Sequence, residues 1–158
     1  MKTIRIGSGA GYSGDRIEPA VELAEKGGIQ YLVFECLAER TIAIAQQARM
    51  KDPGAGYDSL LAARMAACLP VCRRNHVTII TNMGAANPPA GAEKVKEVAK
   101  QLGIRGLKIA AVTGDDILEI IKKGDYHIEE TGEKSSMLRD RMVSANAYLG
   151  AEPIVEAL

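Results

Sequence analysis

Short apolar runs alternate along this chain with segments whose apolar residues recur at helical spacing, and that alternation predicts strands and helices in turn. Thr3–Gly7 reads as a first strand and Ile17–Lys26 as a helix. Ile17, Ala20, Val21 and Ala24 form the helix's apolar stripe, Pro19 is tolerable in its first turn, and Gly27-Gly28 stop it. Tyr31–Phe34 is a continuous apolar run, the mark of a strand buried on both faces. A helix over Leu37–Met50 breaks at the turn-rich Lys51–Gly56. Ser59–Arg74 reads as a longer helix with Asp58 as its N-cap, kinked or divided at Pro70. Val77–Thr81 is a third strand, Gly91–Leu102 a helix, Leu107–Val112 a fourth strand and Ile117–Lys123 a helix. From Gly124 to Ser136 the pattern fades into a surface excursion or lid. A short strand over Met142–Ala145 and a final helix from Pro153 complete the reading.

Strands alternating with helices predict an α/β fold, a mostly parallel sheet flanked by helices in the Rossmann-like three-layer manner. At 158 residues the chain has the size of one domain. The last helix has no strand after it, although a parallel unit should return to the sheet, so an incomplete C-terminus is expected.

Twenty basic residues balance twenty acidic ones. That balance argues against nucleic acid or an anionic membrane as partner, since both call for a basic surface. No apolar run nears the roughly 18–20 residues of a membrane span, and the N-terminus lacks a signal peptide's apolar core. A cytoplasmic protein is expected, and a homo-oligomer. Cys36, Cys68 and Cys72 include no C-x-x-C pair and read as free thiols. Cys68 and Cys72 share a helical face, and core packing accounts for them better than a metal.

In open parallel sheets ligands bind beyond the carboxyl ends of the strands. Four such ends carry unusual residues, so four turns are expected to meet at one rim. After the first strand, Gly9-Ala10-Gly11-Tyr12-Ser13-Gly14 fits G-x-G-x-x-G, whose bare backbone lets an anion approach main-chain N–H groups. Asp15 and Arg16 place one charge of each sign at its exit. The other reading is a purely structural glycine turn.

After the second strand stand Glu35, able to move a proton, and Cys36, a nucleophile if a base is near. His76 falls at the opposite edge, and His127 lies in the excursion. Arg40 can pair with Glu35 or bind a substrate carboxylate. After the third strand, Asn82, Gly84 and Asn87 can orient a carbonyl or a carboxylate, or the two asparagines form turn bonds ahead of Pro88. After the fourth, Thr113, Gly114, Asp115 and Asp116 offer ligand contacts, and Asp115 a second proton carrier. The two aspartates can hold a divalent cation with Glu35, or simply cap the next helix.

Glu35 follows Gly14 by 21 residues, near the spacing at which a Rossmann acid meets a ribose hydroxyl, and that suggests an NAD(P)-dependent oxidoreductase. Pro19 and the extra Asp15-Arg16 weaken it, because they push the helix start past the last glycine.

The blocks Gly7–Arg16, Phe34–Thr41, Thr81–Pro88, Val112–Asp116 and Val143–Ala151, in that order, resemble the acyclic terpene utilisation family, AtuA. The resemblance covers nearly the whole chain. Members run to several hundred residues, so it implies the N-terminal part of a longer bacterial protein. It also implies a role in citronellol and geraniol breakdown, which passes through branched, carboxylated acyl-CoA thioesters. It carries over no established catalytic residues. The resulting expectation is a small-molecule, acyl-CoA-type ligand, with a lyase- or hydratase-type enzyme as one reading and a non-catalytic pathway subunit as another.

Overall fold

The computed structural model describes residues 3–158; Met1 and Lys2 lie outside the described residues. Residues up to Ala111 form one compact unit and Val112–Leu158 a second.

The first unit is built on three parallel strands in the order β1 (Ile6–Ala10), β2 (Tyr31–Phe34) and β3 (Thr78–Thr81). Tyr31 of β2 lies opposite Ile6 on one side and Thr78 on the other. The helices are α1 (Glu18–Lys26), α2 (Glu39–Lys51), α3 (Leu61–Arg74) and α4 (Pro88–Gln101). The fold is therefore the expected α/β arrangement, a parallel sheet flanked by helices.

Burial explains where the core sits. Leu32 and Phe34 are buried, whereas Tyr31 and Val33 between them are only half-buried. The expectation that β2 is deeply buried on both faces is thus met on one. Ala20 and Ala24 of α1, Leu61, Met65, Cys68 and Cys72 of α3, and Val98 and Ala99 of α4 join Leu32 and Phe34 in one aliphatic core. On the other side of the pleat, Ile6 is 67% exposed. Helix α2 buries Ala45 in a small separate cluster with Ala85 and Ala86, against which the partly buried Ile42 also packs.

Two elements differ from the pattern reading for steric reasons. The first strand sits three residues later than expected and runs through the first part of the glycine motif. A bulge between Ser8 and Ala10 lets it do so. Pro70, for its part, does not divide α3 into two helices; the helix runs from Leu61 to Arg74 with the proline inside it. Pro70 is exposed, while Leu69, Val71 and Cys72 beside it are buried, so packing on both flanks holds the turn that the missing N–H weakens.

Leu107–Val112 forms no strand, contrary to expectation. Ile104 and Leu107 pack against the core by their side chains, without entering a backbone ladder. The second unit holds α5 (Leu118–Lys123), a 3-10 helix over Ser135–Arg141 and α6 (Glu152–Ala157). Met142–Ala145 is not a strand either; the pairing there reduces to single bridges, Asp116 with Asn146 and His127 with Lys134. Among the described residues no helix is long and apolar enough to cross a membrane.

Candidate functional site

Parallel strands deliver their carboxyl ends to one edge, and three of the four expected turns meet there. Asn82 Oδ1 accepts from the Cys36 N–H at 2.7 Å, and Asn82 Nδ2 donates to Glu35 Oε1 at 2.9 Å. One amide thus ties the end of β3 to the end of β2. Cys36 Sγ lies 3.8 Å from the Tyr12 carbonyl oxygen, which brings in the turn after β1. No strand leads to the fourth turn, because Leu107–Val112 stays outside the sheet.

The turn after β1 is not an open anion cradle. Gly9 and Ala10 belong to the strand, and a Cβ on Gly9 would lie 2.4 Å from the Phe34 ring. Gly9 is therefore glycine because an aromatic ring occupies its side-chain space. Gly14 is close-packed in the same sense against the Tyr12 ring, whereas Gly11 has room for a side chain. The N–H groups of Gly11 and Tyr12 do receive a carboxylate, but it is the chain's own: Asp15 Oδ2 accepts from them at 2.6 and 3.2 Å. A dinucleotide pyrophosphate would have to displace it, and α1 starts only at Glu18, four residues past Gly14. Arg16 is exposed beside this turn.

Glu35 is exposed, and both its hydrogen bonds fall on Oε1, from Leu37 N–H and Asn82 Nδ2. Oε2 is left for a proton. Arg40 forms no ion pair with Glu35 among the described residues; it is exposed in the first turn of α2. Cys36 is buried, and burial pushes its thiol up to about 11 despite the opposing pull of the Arg64 charge. The sulfur is thus protonated at neutral pH, which does not suit the nucleophile role expected of it.

Asn87 belongs to the scaffold. Its Nδ2 donates to the carbonyls of Pro53 at 2.9 Å and Ala55 at 2.8 Å, and its Oδ1 accepts from Ala90 N–H as N-cap of α4. Its amide is taken up by the turn bonds that were the other reading, whereas that of Asn82 ties the ends of β2 and β3 together. Gly84 is required by contact, since a Cβ there would lie 2.8 Å from Pro88 Cα.

The residue at the centre of this edge is Arg64, in the first turn of α3. It is fully buried. Its Nη2 donates to the carbonyls of Ser13 at 3.2 Å and Asp15 at 3.0 Å, and its guanidinium carbon stands 5.3 Å from the centre of the Phe34 ring. Nε and Nη1 have no hydrogen-bond partner among the described residues.

The family model described as acyclic terpene utilisation family protein AtuA matches residues 4–158. The chain belongs to that family. Membership supports a part in acyclic terpene catabolism. Comparisons with curated proteins and with solved structures return no match.

The remaining candidates of this AtuA-family chain lie in the second unit. Asp115 Oδ2 accepts from Asn146 Nδ2 at 2.9 Å, and its carbonyl accepts from Ala147 N–H at 2.8 Å. Asp116 Oδ1 accepts from Leu118 N–H at 3.2 Å, the helix-capping alternative to metal binding. Thr113 and Gly114 are exposed, with Gly114 in the left-handed region at φ 114°. Among the described residues no three of histidine, cysteine, aspartate and glutamate gather as a metal-ligating set. A surface groove of about 440 Å³ lined by Lys96, Lys100, Gly103 and Arg105 shares no residue with the site at the sheet edge.

Arg64 was missed in the sequence reading, although a signal for it exists. Leu61, Arg64, Met65, Cys68, Leu69 and Cys72 follow helical spacing, and one charge sits in that apolar stripe. A cation buried in a core stripe calls for a partner of opposite charge.

Proposed function

We propose that this AtuA-family chain acts in acyclic terpene catabolism on a branched, carboxylated acyl-CoA intermediate, as a lyase- or hydratase-type enzyme. The Glu35–Asn82–Cys36 bracket at the carboxyl edge of the sheet carries this reading. Glu35 is fixed through Oε1 and keeps Oε2 free, the arrangement of a positioned base that takes a proton from the carbon next to a thioester. Asn82 Nδ2 keeps a second hydrogen that can be given to the thioester oxygen, where negative charge gathers as that proton leaves. In a dehydration, the Cα proton passes to Glu35, and the Cα–H electron pair forms the new double bond as the β C–O bond breaks. The departing hydroxyl takes that proton back from Glu35 to leave as water; hydration is the reverse.

The test is turnover of branched, carboxylated acyl-CoA esters by the intact protein. The expected result is conversion by the wild type and a fall in kcat of roughly a hundredfold or more in Glu35→Gln, with the protein still folded. No turnover and no CoA-ester binding refutes the reading. Unchanged growth of the host on citronellol with Glu35→Gln would favour a non-catalytic subunit instead.

A further inference from the structure

We propose that Arg64 is the carboxylate receptor of this site, holding the free acid group of the ligand through its unpartnered Nε–H and Nη1–H groups. The proposal deepens the reading above, and rests on it in taking the ligand to be a carboxylated acyl chain. It names the residue that recognises the acid end, which no part of the Glu35–Asn82 bracket can do.

Arg64 stands against three ordinary rules at once. Its charge is wholly inside the fold, where an unpaired ion loses its hydration with nothing to replace it. It occupies the first turn of α3, where the helix dipole is already positive and a cation is unfavourable. It also forms no ion pair among the described residues and leaves two nitrogens without a hydrogen bond. A residue selected only to fill the core stripe at this position would be leucine or methionine, with neither penalty. Such a set of violations is repaid when a ligand anion completes the pairing.

What the side chain does have is orientation. The Ser13 and Asp15 carbonyls take both hydrogens of Nη2, and the Phe34 ring lies within cation–π range of the guanidinium. These contacts hold the plane of the group without neutralising it. One donor at Nε and two at Nη1 remain, enough for a carboxylate.

The surrounding charges select the kind of anion. Asp15, Asp58 and Glu35 all act on Cys36 as negative neighbours, and Arg64 is the positive one. A doubly charged phosphate would meet that field unfavourably, whereas a singly charged carboxylate answers one guanidinium with one charge. Gly11, Tyr12 and Gly14 of the turn that covers Nη2 are exposed, and the buried Nε and Nη1 receive a ligand only when that turn moves aside.

The test titrates the intact protein with isovalerate, with its neutral isostere isovaleramide and with inorganic phosphate. Calorimetry gives affinity, and [15N]arginine labelling follows the Arg64 Nε–H signal. Isovalerate is expected to bind, to shift that signal and to slow its exchange with water, while isovaleramide and phosphate bind more weakly. Arg64→Met should lose roughly ten- to a hundredfold in isovalerate affinity, the worth of a hydrogen bond to a charged group. It should melt at or above the wild-type temperature, since removing an unpaired buried charge for an apolar chain of similar volume is neutral or stabilising.

An unmoved Nε–H signal at saturating millimolar isovalerate overturns the assignment, because water then satisfies Arg64. Equal binding of isovaleramide, tighter binding of phosphate, or full affinity in Arg64→Met overturns it as well. Should Arg64→Met fail to fold, the wild-type Nε–H signal decides alone. Isovalerate binding without turnover of any CoA ester would refute the enzymatic reading and leave the receptor standing; turnover with a silent Arg64 would do the reverse.

Discussion

Asn82 and Asn87 lie in one loop, and their amides serve different ends. Asn82 reaches along the strand ends to Cys36 and Glu35, at the edge where a ligand would sit. Asn87 reaches back to the carbonyls of Pro53 and Ala55 and caps α4. Asn87→Ala should therefore cost about 1–3 kcal/mol, because it leaves carbonyls without donors and removes a helix cap. Urea denaturation measures that loss, and ligand affinity per folded molecule should not change. Sequence alone could not separate the two asparagines: both precede or cap a proline-started helix, and only the positions of Cys36 and Pro53 in space distinguish them. The same holds for Asp15. Its place after a glycine turn is legible, but the closing of its carboxylate onto Gly11 and Tyr12 depends on how the turn folds back.

At the scale of the element, the glycine motif illustrates how a pattern can be matched for mixed reasons. Gly9 lies in β1 against the Phe34 ring, and Gly11 lies in the turn with open space where a Cβ would stand. Gly9→Ala should destabilise by about 1–3 kcal/mol through overpacking, whereas Gly11→Ala should be tolerated. Thermal melting of the pair checks this; equal effects would mean that the Phe34 contact does not set the cost at Gly9. Pattern reading locates α1 and β2 closely because the apolar stripe of α1 and the unbroken apolar run of β2 are strong local signals. It erred on β1 and on Leu107–Val112 because a short run of small and apolar residues does not specify which neighbour, if any, it pairs with.

For the molecule as a whole, the aliphatic core contains three thiols that burial pushes up, Cys36 and Cys68 to about 11 and Cys72 to about 12. A thiol raised in the folded state contributes stability that is fully present below its unfolded value near 9. That contribution is lost as pH rises through the folded values. Stability should therefore fall between about pH 9 and pH 12. Urea midpoints across that range measure it, and Cys68→Ala with Cys72→Ala should flatten the slope. Near neutral pH the three thiols should alkylate slowly in the folded protein.

The order of the first three strands and the first four helices, the parallel sheet and the balance of charge are properties of the sequence by itself, because periodicity and composition act locally along the chain. That Glu35, Cys36 and Asn82 belong near one strand edge follows from the same local logic, once parallel strands are assumed. Tertiary structure alone decided which groups were already spoken for: Asp15 takes the turn's N–H groups and Asn87 braces the scaffold. It alone places a guanidinium inside the fold with two nitrogens that have no partner among the described residues. Hydrogen-bond partners and burial are set by residues far apart in the chain, and only folding brings them within reach.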